Sequence, residues 1–252
     1  MLRMLRLVFL AGYLTTTVFG EDTNWVELVK KAESGDRIAQ CNLGYKYDKG
    51  DGITKDSVAA ARWYLRSAEQ GYATAQFNLG LMYEKGEGVP KDNEAGAQWQ
   101  LKAATQGDPD AQLNLGFRYT KGNGVPQDTV EATKWFRRSA EQGNPVAQFN
   151  LGFRYARGQG APKDYAEAVK WYRRSAEQGN ADAQNNLGGM YSRGDGVPKD
   201  LVQAHVWYNL AGINGDHDTK RKLYIIEKIM TADQKAEAMR TAREVHEKIS
   251  QN

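Results

Sequence analysis

Cysteine occurs once in the 252 residues, at Cys41. An internal disulfide is therefore impossible, and a Cys/His zinc site has no ligand set. Histidine occurs three times, at His205, His217 and His246, and none falls in a His-Glu-x-x-His arrangement. Ser-x-x-Lys, Ser-Asp-Asn, Lys-Thr-Gly and Gly-x-Ser-x-Gly are all missing, so the common acyl-transfer nucleophiles have no signature. A convergent site without a motif stays open on that ground alone. Strand-like alternation is also lacking, which leaves an all-helical class. Net charge is small, 34 Lys and Arg against 31 Asp and Glu. Of the formal +3, Arg3 and Arg6 lie in a segment expected to be cleaved, and their removal leaves +1. That balance is no footprint for nucleic acid. No catalytic, cofactor-binding or metal-binding residue is assigned.

Long apolar runs are confined to the start of the chain. Residues 1–6 are short and positive, residues 7–14 are mostly apolar, and Val18-Phe19-Gly20 precedes Glu21. This pattern predicts a signal peptide over residues 1–20. The alternative is a retained anchor, but the run is interrupted by Gly12 and Thr15 to Thr17 and falls short of the ~20 residues that span a bilayer. The expected location is the periplasm or the exterior of a cell, with no membrane span after cleavage.

What is abundant is repetition. Gln40-Cys41-Asn42-Leu43-Gly44 returns as Gln76-Phe77-Asn78-Leu79-Gly80, as Gln112-Leu113-Asn114-Leu115-Gly116, and again at Gln148 and Gln184. The period is 36 residues without insertion or deletion. Such a period marks a solenoid, whose units bury their apolar faces only by stacking. The repeats are expected over 36–71, 72–107, 108–143, 144–179 and 180–215. A capping helix is expected over 21–35 and capping helices over 216–252.

Within the second repeat, Ala75, Leu79, Gly80 and Tyr83 share one face of a first helix. Gly86 suits a left-handed helix end and Pro90 blocks continuation. Asp92 is the natural N-cap of a second helix, matched by Asp56, Asp128, Asp164 and Asp200. Gly96, Trp99, Gln100, Ala103 and Ala104 form its inner face, with Trp63, Trp135, Trp171 and Trp207 as the large anchors elsewhere. Cys41 reads as a small apolar filler. Thr231 with Gln234 predicts a capping box opening a last helix that runs to about Lys248.

Ala-Gln-x-Asn-Leu-Gly, then Tyr, then Gly-x-Gly-Val-Pro-Lys-Asp, then Ala-x-x-Trp-Tyr, closed by Ala-Glu-Gln-Gly, resembles the Sel-1-like repeat, a relative of the tetratricopeptide repeat. The resemblance covers residues 36–215. It implies an all-α, right-handed α-solenoid of stacked antiparallel helix pairs, of the exported bacterial type. Some relatives have been proposed to act on β-lactams, but they carry paired cysteines that this chain lacks. Departures are Ala161 for Val, Thr54 for Pro and Gly96 for Ala.

The tetratricopeptide arrangement further implies that first helices line a concave groove. The slots two before and two after the repeated Leu then face it: Cys41 and Tyr45, Phe77 and Leu81, Leu113 and Phe117, Phe149 and Phe153, Asn185 and Gly189. One turn further, Lys49, Lys85, Lys121, Arg157 and Arg193 form a basic column. The competing reading is that the apolar slots are inter-repeat core. As a groove, the row suits a protein or peptide partner with apolar anchors and acidic flanks. Arg137-Arg138 and Arg173-Arg174 read as solvated faces. Arg193-Gly194-Asp195 reads as ordinary turn grammar. The function expected is an exported interaction scaffold. A cell-wall or β-lactam hydrolase and a regulatory subunit of a membrane sensor are the alternatives.

Overall fold

A computed structural model describes residues 22–213 and 217–251. The expected signal peptide lies outside the described residues. Among them are thirteen helices and no strand. The first, α1 (Asp22–Glu33), covers the start of the array. Five helix pairs follow: α2 (Arg37–Lys49) with α3 (Ser57–Glu69), α4 (Ala73–Lys85) with α5 (Asn93–Thr105), α6 (Pro109–Lys121) with α7 (Thr129–Glu141), α8 (Pro145–Arg157) with α9 (Tyr165–Ala176), and α10 (Ala181–Arg193) with α11 (Leu201–Gly212). The chain closes with α12 (His217–Glu227) and α13 (Ala232–Ser250), both packed on α11. Through the repeats, each helix packs chiefly on its neighbours in sequence, so the molecule is an all-helical solenoid.

Punctuation follows the side chains. Asp56, Asp92, Asp128, Asp164 and Asp200 each accept a backbone N–H from the first turn of the second helix, satisfying donors that the helix leaves free. Gly50, Gly86, Gly122, Gly158 and Gly194 end the first helices in the left-handed region. The second turn glycine has a further duty. At Gly88, Gly124 and Gly160 an added Cβ would stand 1.9–2.0 Å from the backbone oxygen of Ser57, Asn93 or Thr129. Each turn is thus seated directly on the start of the preceding repeat's second helix. Thr231 and Gln234 form the expected capping box.

Burial is periodic. Leu43, Leu79, Leu115, Leu151 and Leu187 are fully buried, as is the alanine facing each of them. Trp135, Trp171 and Trp207 are buried, whereas Trp63 and Trp99 are only half-buried. The residue after the tryptophan lies deeper: Tyr64, Phe136, Tyr172 and Tyr208 fill the space left by the helical glycine, and a Cβ on Gly116 would meet the Phe136 ring at 2.7 Å. In the second repeat Gln100 takes that slot and Gly96 faces Gly80, so the two helices approach backbone to backbone.

A polar ladder runs through this core. Gln40, Gln76, Gln112, Gln148 and Gln184 donate from Nε2 to the carbonyls of Ala32, Ala68, Ala104, Ala140 and Ala176 of the preceding unit. Gln70, Gln106, Gln142 and Gln178 then donate to Oε1 of the first four. Each rung satisfies a buried amide and sets the register of consecutive helices. A net ~1 kcal/mol per bond is modest, but an unmade bond there costs the full desolvation of the group.

Candidate interaction groove

The first helices carry the expected row. Phe77, Leu81, Leu113, Phe117, Phe149 and Phe153 are all half-buried. Phe77 and Leu113 lean on clusters built around Trp135 and Trp171 respectively, and Phe149 and Phe153 lean on the cluster containing Tyr172. Phe117 meets Phe136 edge-on, with ring centroids 5.1 Å apart. Phe77, Leu113, Phe117, Phe149 and Phe153 therefore brace the stack with one flank and present the other to solvent. Tyr45 is 50% exposed, with the Lys49 ammonium 5.8 Å from its ring centre. Two slots depart from the expectation. Cys41 is buried in the core, and Gly189 is buried beside the Tyr208 hydroxyl. Asn185 is half-buried and accepts a hydrogen bond from Lys222 of α12.

Lys49, Lys85, Lys121, Arg157 and Arg193 are exposed. Lys49 pairs with Asp48 at 2.8 Å and Arg193 with Asp195 at 2.6 Å, while Lys85 stands 4.0 Å from Glu87. Among the described residues Lys121 and Arg157 enter no ion pair. The Arg193–Asp195 pair closes the Arg-Gly-Asp turn on itself, around the left-handed Gly194.

Two clefts bring parts of the row together with the column. Phe117 and Lys121 line one of about 270 Å³ with Glu84, Asn114, Arg118 and Asn123. A larger one, about 460 Å³, contains Phe153, Arg157 and Arg193. Phe77, Leu81, Leu113 and Phe149 line neither.

Sequence reasoning missed two buried cations. Arg118 is 3% exposed. It donates to Gln100 Oε1 at 2.7 Å, to the carbonyls of Asn93 and Asn123, and to Glu84 at 2.8 Å. Burial pulls its pKa down, and the Glu84 carboxylate opposes that shift. Arg154 is similarly buried, its pKa also lowered by desolvation, and it reaches the Thr129 carbonyl and the Thr120 hydroxyl. The outer arginines also proved less free than expected. Arg138 and Arg174 stack on Trp135 and Trp171 at 4.4 and 4.7 Å, and Arg137 and Arg173 reach the hydroxyls of Tyr155 and Tyr191 in the next repeat. These pairs hold neighbouring repeats together as well as facing water.

The array geometry is matched by a known family. A model of the Sel1 repeat fits residues 37–72, 73–108, 109–144, 145–180 and 181–216. The chain belongs to the Sel1 repeat family. Among solved Sel1-type structures it is similar to c5321, described as a protective antigen of uropathogenic Escherichia coli with an SLR fold. That likeness has 41% identity and a TM-score of 0.78, over 89% of this chain and 48% of the other. The chain thus spans about half the length of that relative. It is also similar to a Sel1 repeat protein from Oxalobacter formigenes, at 38% identity and a TM-score of 0.76, over 82% of this chain and 86% of that one. No curated protein matches the sequence. Among the described residues of this Sel1 solenoid, no helix is long and apolar enough to cross a membrane. Nor, among them, do three or more His, Cys, Asp or Glu side chains group so as to hold a metal ion.

Proposed function

We propose that the chain is an exported, non-enzymatic scaffold that holds a partner protein or peptide along the first helices. The observation that carries this reading is the half-burial of six large apolar side chains in register, bordered by an exposed basic column. A side chain fixed on one flank and open on the other loses little freedom when a partner covers it. A partner with apolar anchors and acidic flanks fits that surface. Export rests on the leader pattern of residues 1–20, and likeness to a protective antigen agrees with it.

The test pairs affinity with stability. For a partner captured from the native cell envelope, Phe117→Ala is expected to weaken binding by ~1–3 kcal/mol, as for an aromatic anchor. Lys121→Glu is expected to act mainly through association rate, more strongly at low salt. Because Phe117 braces Phe136, the denaturation midpoint of each variant must be measured beside its affinity. Normal binding by the folded fraction of Phe117→Ala would show that the row is core alone. Turnover of a chromogenic β-lactam or peptidoglycan, abolished by one point substitution, would replace the scaffold reading with the hydrolase.

A further inference from the structure

The repeats are alike in register but not in charge, and the difference concentrates at one boundary. Between the second and third repeats, Arg118 fills the space beneath the turn and Glu84 neutralises it. Between the third and fourth, Arg154 fills the same slot and ends on Thr120. Between the first and second, the slot holds Met82, but Asp48 occupies the position of Glu84 and pairs with Lys49. Between the fourth and fifth, both devices are gone. Met190 stands in the arginine slot and Ala156 in the acidic one. The 460 Å³ cleft opens there, and Tyr165, where earlier repeats have Ser57, Asn93 and Thr129, contributes to its lining.

The cleft has an apolar floor and a cationic rim. Phe153, Tyr172 and Met190 line it together with Arg157, Lys163 and Arg193. Its one carboxylate, Asp195, is taken by Arg193. Among the described residues neither Arg157 nor Lys163 has an ion pair. Arg157 lies 5.5 Å from the Phe153 ring centre and Lys163 lies 4.5 Å from that of Tyr165. Two cations held over aromatic faces, with no counter-charge of their own, are preorganised for an anion from outside.

We infer that this cleft receives an internal glutamate side chain of the bound partner, its methylenes on Phe153 and Met190 and its carboxylate between Arg157 and Lys163. A glutamate combines the two chemistries that the cleft offers. Lys121, exposed in the same column one repeat before the cleft, favours a chain that continues past the cleft over one that ends in it. The inference rests on the reading that a peptide lies along the first helices, and it adds which side chain the fourth and fifth repeats select.

The experiment uses random 12-residue peptides displayed on phage and selected on the purified chain. Enriched sequences are resynthesised with acetylated and amidated ends. The expected peptides carry a glutamate beside an apolar residue, and changing that glutamate to glutamine weakens binding at least tenfold. Two substitutions install what the boundary between the second and third repeats possesses: Ala156→Glu supplies the carboxylate in the slot of Glu84, and Met190→Arg fills the slot as Arg118 does. Each is expected to weaken binding tenfold or more. Ala156 is only half-buried, so Ala156→Glu is expected to keep its helical signal and denaturation midpoint even if Met190→Arg does not. Lys134→Ala, on the second helix α7 and outside the basic column, should change affinity less than twofold. Enriched peptides without acidic residues, or indifferent to Ala156→Glu, overturn the glutamate assignment, and the groove reading survives if Phe117→Ala still weakens them. Binding that needs a free terminal carboxylate overturns the internal side chain. Selection that enriches no peptide overturns the groove reading, and this inference falls with it.

Discussion

Cys41 shows how a single position is governed by the stack around it. Other repeats place Phe77, Leu113 or Phe149 in its slot, yet the thiol is buried and desolvation pushes its pKa up to about 11. The thiolate is the reactive form, so the folded chain should alkylate with iodoacetamide at pH 8 at least tenfold more slowly than the chain in denaturant. Mass spectrometry of timed samples reads this directly. The same shift has a sign for stability. The folded state prefers the neutral thiol, so its contribution is whole below pH 9 and is lost as pH rises toward 11. Arg118 is governed in the opposite way, by partners that keep a charge inside. Removing the Glu84 carboxylate should cost about 2–3 kcal/mol, below the full range for a broken buried pair because Glu84 is one-third exposed. Chemical denaturation of Glu84→Ala measures it, and Thr120, in the slot of Glu84 one repeat later, explains why Arg154 tolerates a neutral partner.

At the scale of the element, the helices and their ends were legible because they depend on local chemistry repeated in register. Asp92 as a cap, Gly86 as a left-handed stop and the Thr231–Gln234 box each act within a few residues of themselves. What was not legible depends on contacts about 18 to 39 positions away. Arg118 meets Gln100, Glu84 and Asn93 from another repeat, and its slot alternates with Met82 and Met190. That arginine–methionine alternation was the available sign of an inward position. The half-exposure of the phenylalanine row was beyond sequence for a related reason: a helical stripe does not say how much of each ring a neighbour covers. Gly124 belongs to the same class. Its φ of +72° could be expected of a turn, but the Asn93 carbonyl 2.0 Å from where a Cβ would stand could not. Gly124→Ala should therefore cost about 2 kcal/mol or more, the left-handed strain plus the displacement of the turn. Gly107→Ala is the control, since nothing lies within 4 Å of its Cβ position, and the difference between the two midpoints isolates the seating contact.

The whole molecule behaves as a chain of interfaces, so its parts should be removable in units of the period. Stability of such arrays is close to a sum of repeat and nearest-neighbour terms. Deleting residues 108–143 joins α5 to α8 and keeps every slot in phase. Arg154 then arrives where Arg118 stood, facing Glu84 and Gln100, which already hold a guanidinium there. Gln148 arrives at the Ala104 carbonyl that Gln112 had occupied. The new boundary thus inherits a complete set of partners, and the shortened chain should fold with undiminished helicity per residue. Its denaturant m-value should fall by roughly 15%, in step with the surface no longer buried. Deleting residues 126–161, also 36 long, is out of step with the pair boundaries but keeps the phase, and it should fold as well. Deleting residues 108–125 removes half a period, sets one second helix against another, and should leave the array unfolded beyond the junction. Circular dichroism with urea denaturation separates these outcomes. Loss of folding in both full-period deletions would mean that the repeats depend on particular distant partners and not on their neighbours alone.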